Sequence, residues 1–126
     1  MENKVVLIAE DFFLIRNIIQ NKLEPHGFKI LSAENAEQVL ETIEKNDVDI
    51  ILLNPNILMP NGKSCVKAIR SITHEKKANI PIIAITGNPF NHSLKQFQKM
   101  GFDAYVEKPI NFDLLIDMLK EIIQLD

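Results

Sequence analysis

Residues 49–62 read Asp49-Ile50-Ile51-Leu52-Leu53-Asn54-Pro55-Asn56-Ile57-Leu58-Met59-Pro60-Asn61-Gly62. With Val48, the first half is a short, nearly continuous apolar run. A parallel strand reads this way when helices cover both faces of its sheet. The run stops at Asn54, and Pro55, Pro60 and the Asn61-Gly62 pair force a loop. In an open parallel sheet, ligands and chemistry gather at the carboxyl ends of the strands. Asn54 therefore stands where a reactive side chain is expected, and it carries an amide.

The same alternation extends in both directions. Residues 5–9 form a second buried-type run that ends at Glu10-Asp11. Ile15, Ile18, Ile19 and Leu23 follow at helical spacing, with Arg16, Asn17 and Gln20 on the opposite, wet side, and Pro25 and Gly27 stop the helix. Residues 28–33 read as the next strand, and Ala36, Val39, Leu40 and Ile43 as the next helical stripe. Beyond the loop, Val66, Ala68, Ile69 and Ile72 predict a third helix, and residues 74–79 a polar connection. Residues 80–85 read as the fourth strand, with Pro81 near its start where a missing N–H is tolerated. Phe90, Leu94 and Phe97 predict a fourth helix closed by Gly101; residues 104–106 form a short fifth strand; Phe112, Leu115, Ile116, Leu119, Ile122 and Ile123 give a final helix. Five strand–helix units with short connections predict an α/β domain with a doubly wound parallel sheet.

The bulk numbers agree with one domain over residues 1–126. A chain of this length is one ordinary domain, and at 46% hydrophobic residues it has material for a core that buries roughly two thirds of its unfolded surface. The formal charge of −3 is spread along the chain, with no basic stretch of the kind that holds nucleic acid. The single cysteine, Cys65, gives no internal disulfide and reads as a small, half-buried helix residue. The first residues lack a signal-peptide pattern, and no apolar run is long enough to span a membrane. The cytoplasm is the expected location. His26, His74 and His92 show no metal-ligand spacing and read as solvated.

Taking the residue just past each strand gathers Glu10 and Asp11, Asn54, Thr86 and Lys108 on one rim. Paired carboxylates suit Mg²⁺, a hard cation that prefers oxygen ligands. A hydroxyl and an ammonium nearby suit a phosphoryl group. Beside this rim, Phe12, Phe13 and Leu14 are apolar, and the stripe of α-helical isoleucines leaves Phe13 or Leu14 to stay exposed or to pack under a neighbouring loop.

These strand ends resemble the receiver domains of two-component response regulators, over essentially the whole chain. The acidic pair in Ile8-Ala9-Glu10-Asp11 is similar to the family's metal-holding acids. Thr86 in Ala84-Ile85-Thr86-Gly87-Asn88 matches its switch hydroxyl, Lys108 in Tyr105-Val106-Glu107-Lys108-Pro109 its lysine, and Tyr105 its switch aromatic. The resemblance implies a five-stranded (βα)5 flavodoxin-like fold with strand order 2-1-3-4-5. It also implies a cis Lys108-Pro109 bond, and Mg²⁺ held by Glu10, Asp11 and the backbone carbonyl of Asn56. The implied partners are a sensor histidine kinase or phosphotransfer protein, which would meet the region of Phe12, Phe13 and Leu14, or a downstream effector. Neither nucleic acid nor a membrane is implied. The implied assembly is a monomer, or a weak homodimer through the fourth helix, fifth strand and fifth helix. The length fits either a stand-alone receiver or a piece of a longer protein.

The central residue departs from the family's pattern, which has a phosphoaccepting aspartate after the third strand. Alignment on Asp49 to Leu53 and on Asn61-Gly62 puts Asn54 at that place, whereas alignment on Met59-Pro60 puts Asn56 there. In either frame no aspartate lies between Asp49 and Asp103. A neutral amide is a poor nucleophile and cannot form an acyl phosphate. With one negative charge fewer, Mg²⁺ is expected to bind weakly or not at all.

Three functions follow. One is a phosphorylation-independent or locked interaction module, and not an enzyme. The second is a conventional Mg²⁺-dependent acceptor trapped by an Asp-to-Asn substitution. The third is a small flavodoxin-like binder of a nucleotide or flavin, which lacks the Gly-rich phosphate loop after its first strand.

Overall fold

The computed structural model describes residues 3–87 and 93–123. The elements run β1 (Val5–Ala9), α1 (Phe13–Leu23), β2 (Lys29–Ala33), α2 (Ala36–Lys45), β3 (Ile50–Leu53), α3 (Cys65–Arg70), α4 (Glu75–Ala78), β4 (Ile82–Thr86), α5 (Leu94–Met100), β5 (Ala104–Glu107) and α6 (Phe112–Ile123). The five strands form one parallel sheet in the order β2-β1-β3-β4-β5. This is the doubly wound order the sequence reading implied.

Side-chain alternation along each strand divides the core in two. Leu7, Ile51, Leu53 and Ile82 point to one face, where they meet Val39 and Ile43 of α2, Val66 and Ile69 of α3, and Phe97 of α5. Val6, Ile8, Ile50, Leu52 and Ile83 point to the other, against Ile19 and Leu23 of α1 and Leu115, Ile116 and Leu119 of α6. All four residues of β3 are buried. A continuous apolar run, rather than an alternating one, is what a central strand under two helical layers requires.

Helix starts are fixed by local chemistry. Asn35 accepts from the Gln38 backbone N–H at 2.9 Å and caps α2. Ser93 and Gln96 form a reciprocal capping box that opens α5. Gly101 closes α5 at φ 115°, a left-handed conformation, and a Cβ there would meet Val66 Cγ2 at 3.1 Å. The position suits glycine both for its backbone and for space.

The boundaries depart from the sequence reading in several places; Thr86, expected just past the fourth strand, is the last residue of β4 and pairs with Glu107, and α3 ends at Arg70, short of Ile72. Val48 precedes β3, and Ile80 and Pro81 precede β4, because ladder pairing starts only at Ile50 and at Ile82. Phe28 lies outside β2, and β5 extends to Glu107. The polar connection contains a single helical turn, α4, capped by His74 Nδ1 accepting from the Lys77 N–H at 3.4 Å. The fourth predicted helix is seen as Leu94–Met100, while Phe90 and His92 lie outside the described residues.

Candidate functional site

The parallel register brings the strand ends together. Ala9, the last residue of β1, pairs with Leu53, the last of β3, and Thr86 of β4 pairs with Glu107 of β5. The next residues along the chain are Glu10, Asn54 and Lys108. Backbone bonds hold each of them: Glu10 N–H to Ala33 O at 3.1 Å, Asn54 N–H to Ala9 O at 3.0 Å, and Lys108 N–H to Thr86 O at 2.8 Å. The Lys108–Pro109 peptide bond is cis.

Glu10 is the hub. Its side chain is almost fully buried, and it is accompanied in the buried polar set only by Asn54 among the described residues. Glu10 Oε2 accepts from Asn54 Nδ2 at 2.9 Å, and Oε1 accepts from Lys108 Nζ at 3.4 Å. Asn54 Oδ1 in turn accepts from the Asn56 backbone N–H at 2.9 Å. That backbone group can only donate, so the amide's oxygen faces the loop and its NH₂ faces Glu10. Buried charge is tolerable here because each carboxylate oxygen has a donor.

Arg16 completes the site and was not legible in the sequence. Placed on the wet side of α1 by periodicity, its guanidinium donates from Nη1 to the Glu10 backbone carbonyl at 2.7 Å and lies 3.9 Å from Glu34. It also sits 5.7 Å over the Phe13 ring. Helical spacing says which face a residue occupies, but not that a long side chain folds back over the preceding turn.

The other candidates are placed as follows. Asp11 is exposed, one residue beyond the buried hub. Thr86 is half-buried beside Gly87 at the end of β4. Tyr105 is half-buried and its ring stacks on Phe97 at 5.0 Å between centroids, so aromatic packing holds it in this structure. Cys65 is buried, more fully than the half-burial expected, and burial pushes its thiol up to about 11. His26 and His74 are exposed, as read.

As arranged, the Glu10 carboxylate is turned toward the Asn54 amide and the Lys108 ammonium. Among the described residues, no three His, Cys, Asp or Glu side chains come together in a way that could hold a metal ion. Both Glu10 oxygens have donors, Oε2 the Asn54 NH₂ and Oε1 the Lys108 ammonium.

Beside the site, apolar residues are open to solvent. Phe12 is 54% exposed, Phe13 and Leu14 are each 58%, and Ile18 is 50%. Phe13 and Leu14 are thus both exposed rather than packed under a loop, and Ile18 leaves the buried stripe to which spacing assigned it. Ile15, Ile18 and Ile19 form one wall of an apolar groove of about 300 Å³ whose other wall is Pro109, Ile110 and Phe112. No helix among the described residues is long and apolar enough to cross a membrane.

Comparison with known proteins agrees with this geometry. The response regulator receiver domain matches residues 6–120. The CAI-1 autoinducer sensor kinase/phosphatase CqsS of Vibrio cholerae is 32% identical over 114 residues, covering 89% of this chain and 16% of that protein. A two-component response regulator from Clostridium difficile superposes with a TM-score of 0.83 at 26% identity, covering 98% of each chain. Response regulator TrrA from Thermotoga maritima, solved in complex with Mg²⁺ and BeF, superposes at 0.76 with 27% identity, covering 94% of this chain and 98% of that one. The chain spans only 16% and 7% of the first two curated relatives. With its family match, its 2-1-3-4-5 parallel sheet and its rim of strand-end polar residues, this chain belongs to the receiver domains of two-component signal transduction.

Proposed function

We propose that this receiver domain carries Asn54 in the phosphoacceptor position and acts as a phosphorylation-independent, or locked, interaction module. One observation carries the reading: at the end of β3, where a nucleophile would stand, the Asn54 amide is hydrogen-bonded to buried Glu10 and to the Asn56 N–H. An amide held this way offers no carboxylate oxygen to a phosphohistidine. The frame that puts Asn54 rather than Asn56 there is favoured because Asn54 directly follows β3 and faces Lys108 across Glu10.

Thr86 and Lys108 then keep the positions of phosphoryl-contact groups without a phosphoryl group to bind. Glu10, Asp11 and the Asn56 carbonyl keep those of metal ligands, with Mg²⁺ held weakly or not at all. Tyr105 would be the switch aromatic, fixed here against Phe97. Residues 1–126 act as one domain, in the cytoplasm, with no enzymatic activity of their own.

The apolar groove between α1 and the Pro109–Phe112 segment is where we place an amphipathic helix of a sensor histidine kinase or phosphotransfer protein. Its cationic edge, Lys108 in the lining and Lys22 over the Phe112 ring, favours an acidic partner helix. The alternative partner is a downstream effector. The domain would be a monomer, or a weak homodimer through α5, β5 and α6.

The test is intact mass after incubation with Mg²⁺ and acetyl phosphate, run beside Asn54→Asp. The native chain is expected to gain nothing and Asn54→Asp one phosphoryl group. Stable incorporation at position 54 or 56 of the native chain would overturn the reading. Full activity of Asn54→Asp with a cognate kinase would instead favour a conventional acceptor trapped by an Asp-to-Asn substitution.

A further inference from the structure

The loop after β3 holds three asparagines with three different chemical fates. Spontaneous deamidation needs the backbone nitrogen of the following residue to attack the side-chain carbonyl carbon. Asn54 precedes Pro55, which has no N–H to give up. Asn56 precedes Ile57, whose β-branched side chain crowds the approach and whose N–H is bonded to Asn54 O at 3.1 Å. Asn61 precedes Gly62, and this is the only Asn-Gly pair in the chain.

The geometry around that pair is permissive. Asn61 and Gly62 are both exposed at the tip of a small hairpin in which Met59 N–H bonds Lys63 O at 2.8 Å. Gly62 has φ 84°, and nothing lies within 4 Å of where a Cβ would be. Attack on Asn61 from this nitrogen meets no side chain. Asn61 Oδ1 accepts from the Lys63 N–H at 3.0 Å, which holds the amide folded over the backbone it must meet and polarises its carbonyl. The Gly62 N–H is bonded to Met59 O at 2.8 Å, so the turn must open before the nitrogen is free. At a solvated loop tip such openings are frequent.

We propose that Asn61 is a modification site at which this chain deamidates spontaneously, while Asn54 is chemically fixed as an amide. The Gly62 nitrogen loses its proton and bonds to Asn61 Cγ; the Cγ–Nδ2 bond breaks and ammonia leaves; water opens the resulting succinimide at either carbonyl. The products are aspartate or isoaspartate at position 61. The net change is one amide and one water converted to one carboxylate and one ammonium ion. The loop bordering the site gains a negative charge beside exposed Leu58. In the isoaspartate product an extra backbone methylene falls inside the hairpin and breaks the Met59–Lys63 pairing.

The experiment is ageing of the folded protein in mildly alkaline buffer, followed by fragmentation of the tryptic peptide 46–63. That peptide carries Asn46, Asn54, Asn56 and Asn61, so three positions serve as internal controls. A gain of about 1 Da at position 61, split between aspartate and isoaspartate, with none at 46, 54 or 56, is expected. A Gly62→Ala variant should lose most of the conversion. The proposal fails if position 61 stays an amide in the folded protein while a synthetic peptide of residues 58–64 converts. It also fails if Gly62→Ala converts as fast as the native chain.

Discussion

Asn54 Nδ2 donates to Glu10 Oε2 at 2.9 Å, joining the ends of β3 and β1 through two buried side chains. The partner of a buried carboxylate matters more than the mean value of a hydrogen bond suggests, because removing it leaves the carboxylate unsatisfied. Asn54→Asp removes the donor and sets a second carboxylate against Glu10. Without divalent metal, this variant should lose about 1–3 kcal/mol of stability. Adding Mg²⁺ should raise the melting temperature of Asn54→Asp and leave the native chain almost unmoved. Paired thermal melts check both statements, and an equal Mg²⁺ response in the two proteins would refute them.

Lys108 is the second counter-group of Glu10. The contact is long, 3.4 Å, and the ammonium is about a quarter exposed, so it is weaker than a fully buried pair. Lys108→Met should cost about 1–3 kcal/mol, below the figure for breaking a fully buried pair. Adding Glu10→Gln to Lys108→Met should recover part of that loss, since the orphaned charge is then gone. A double-mutant cycle by urea denaturation measures the coupling. Strict additivity would mean that the two side chains do not interact.

Arg70 holds the opposite end of the sheet. Its Nε donates to Gly101 O at 2.9 Å, Nη1 to Ala78 O at 2.8 Å and Ile80 O at 2.7 Å, and Nη2 to Asp103 Oδ2 at 3.0 Å. Asp103 Oδ2 also accepts the Ile82 N–H at 2.8 Å. A lysine cannot reproduce a planar fork with this many acceptors. Arg70→Lys should therefore cost about 2–3 kcal/mol, read as a lower urea midpoint. No change in the midpoint would show that solvent satisfies these carbonyls equally well.

Cys65 gives a pH signature. Burial raises its thiol from 9.0 to about 11 in the folded chain. The native state therefore holds this proton over a range where the unfolded state has lost it. The corresponding stability is present below pH 9 and is lost as pH rises through the folded value. Comparison of native and Cys65→Ala stability between pH 8 and about 11 isolates this contribution from lysine titration. The native chain should show the steeper decline, and parallel curves would contradict it. At neutral pH the thiol should resist alkylation until the protein is unfolded.

Much of the site could be read before any coordinates. Asn54, Glu10 and Thr86 each follow directly on an apolar run and Lys108 comes one residue after its own, and in a parallel sheet successive strands deliver such residues to the same edge. Tyr105 was legible as a position but not as a packing partner of Phe97. Ile18 was assigned to the buried side of α1 but is half exposed, and the reach of Arg16 back to the Glu10 carbonyl was not legible. Helical spacing ranks faces relative to one another but does not say how far the neighbouring Pro109–Phe112 segment covers them.

What the sequence determined by itself is local and periodic: where strands and helices alternate, which polar residue ends each strand, and that no aspartate stands between Asp49 and Asp103. These follow from side-chain period, from turn chemistry and from residue identity, all of which are properties of short segments. The tertiary structure alone decided that Glu10 takes its two donors from residues 44 and 98 positions away, and that Arg70 reaches three carbonyls in two other segments. Those pairings depend on crossover packing and on which buried groups lose water together. No pattern within a segment encodes that choice, because the penalty for an unpaired buried group arises only once the layers have closed over it.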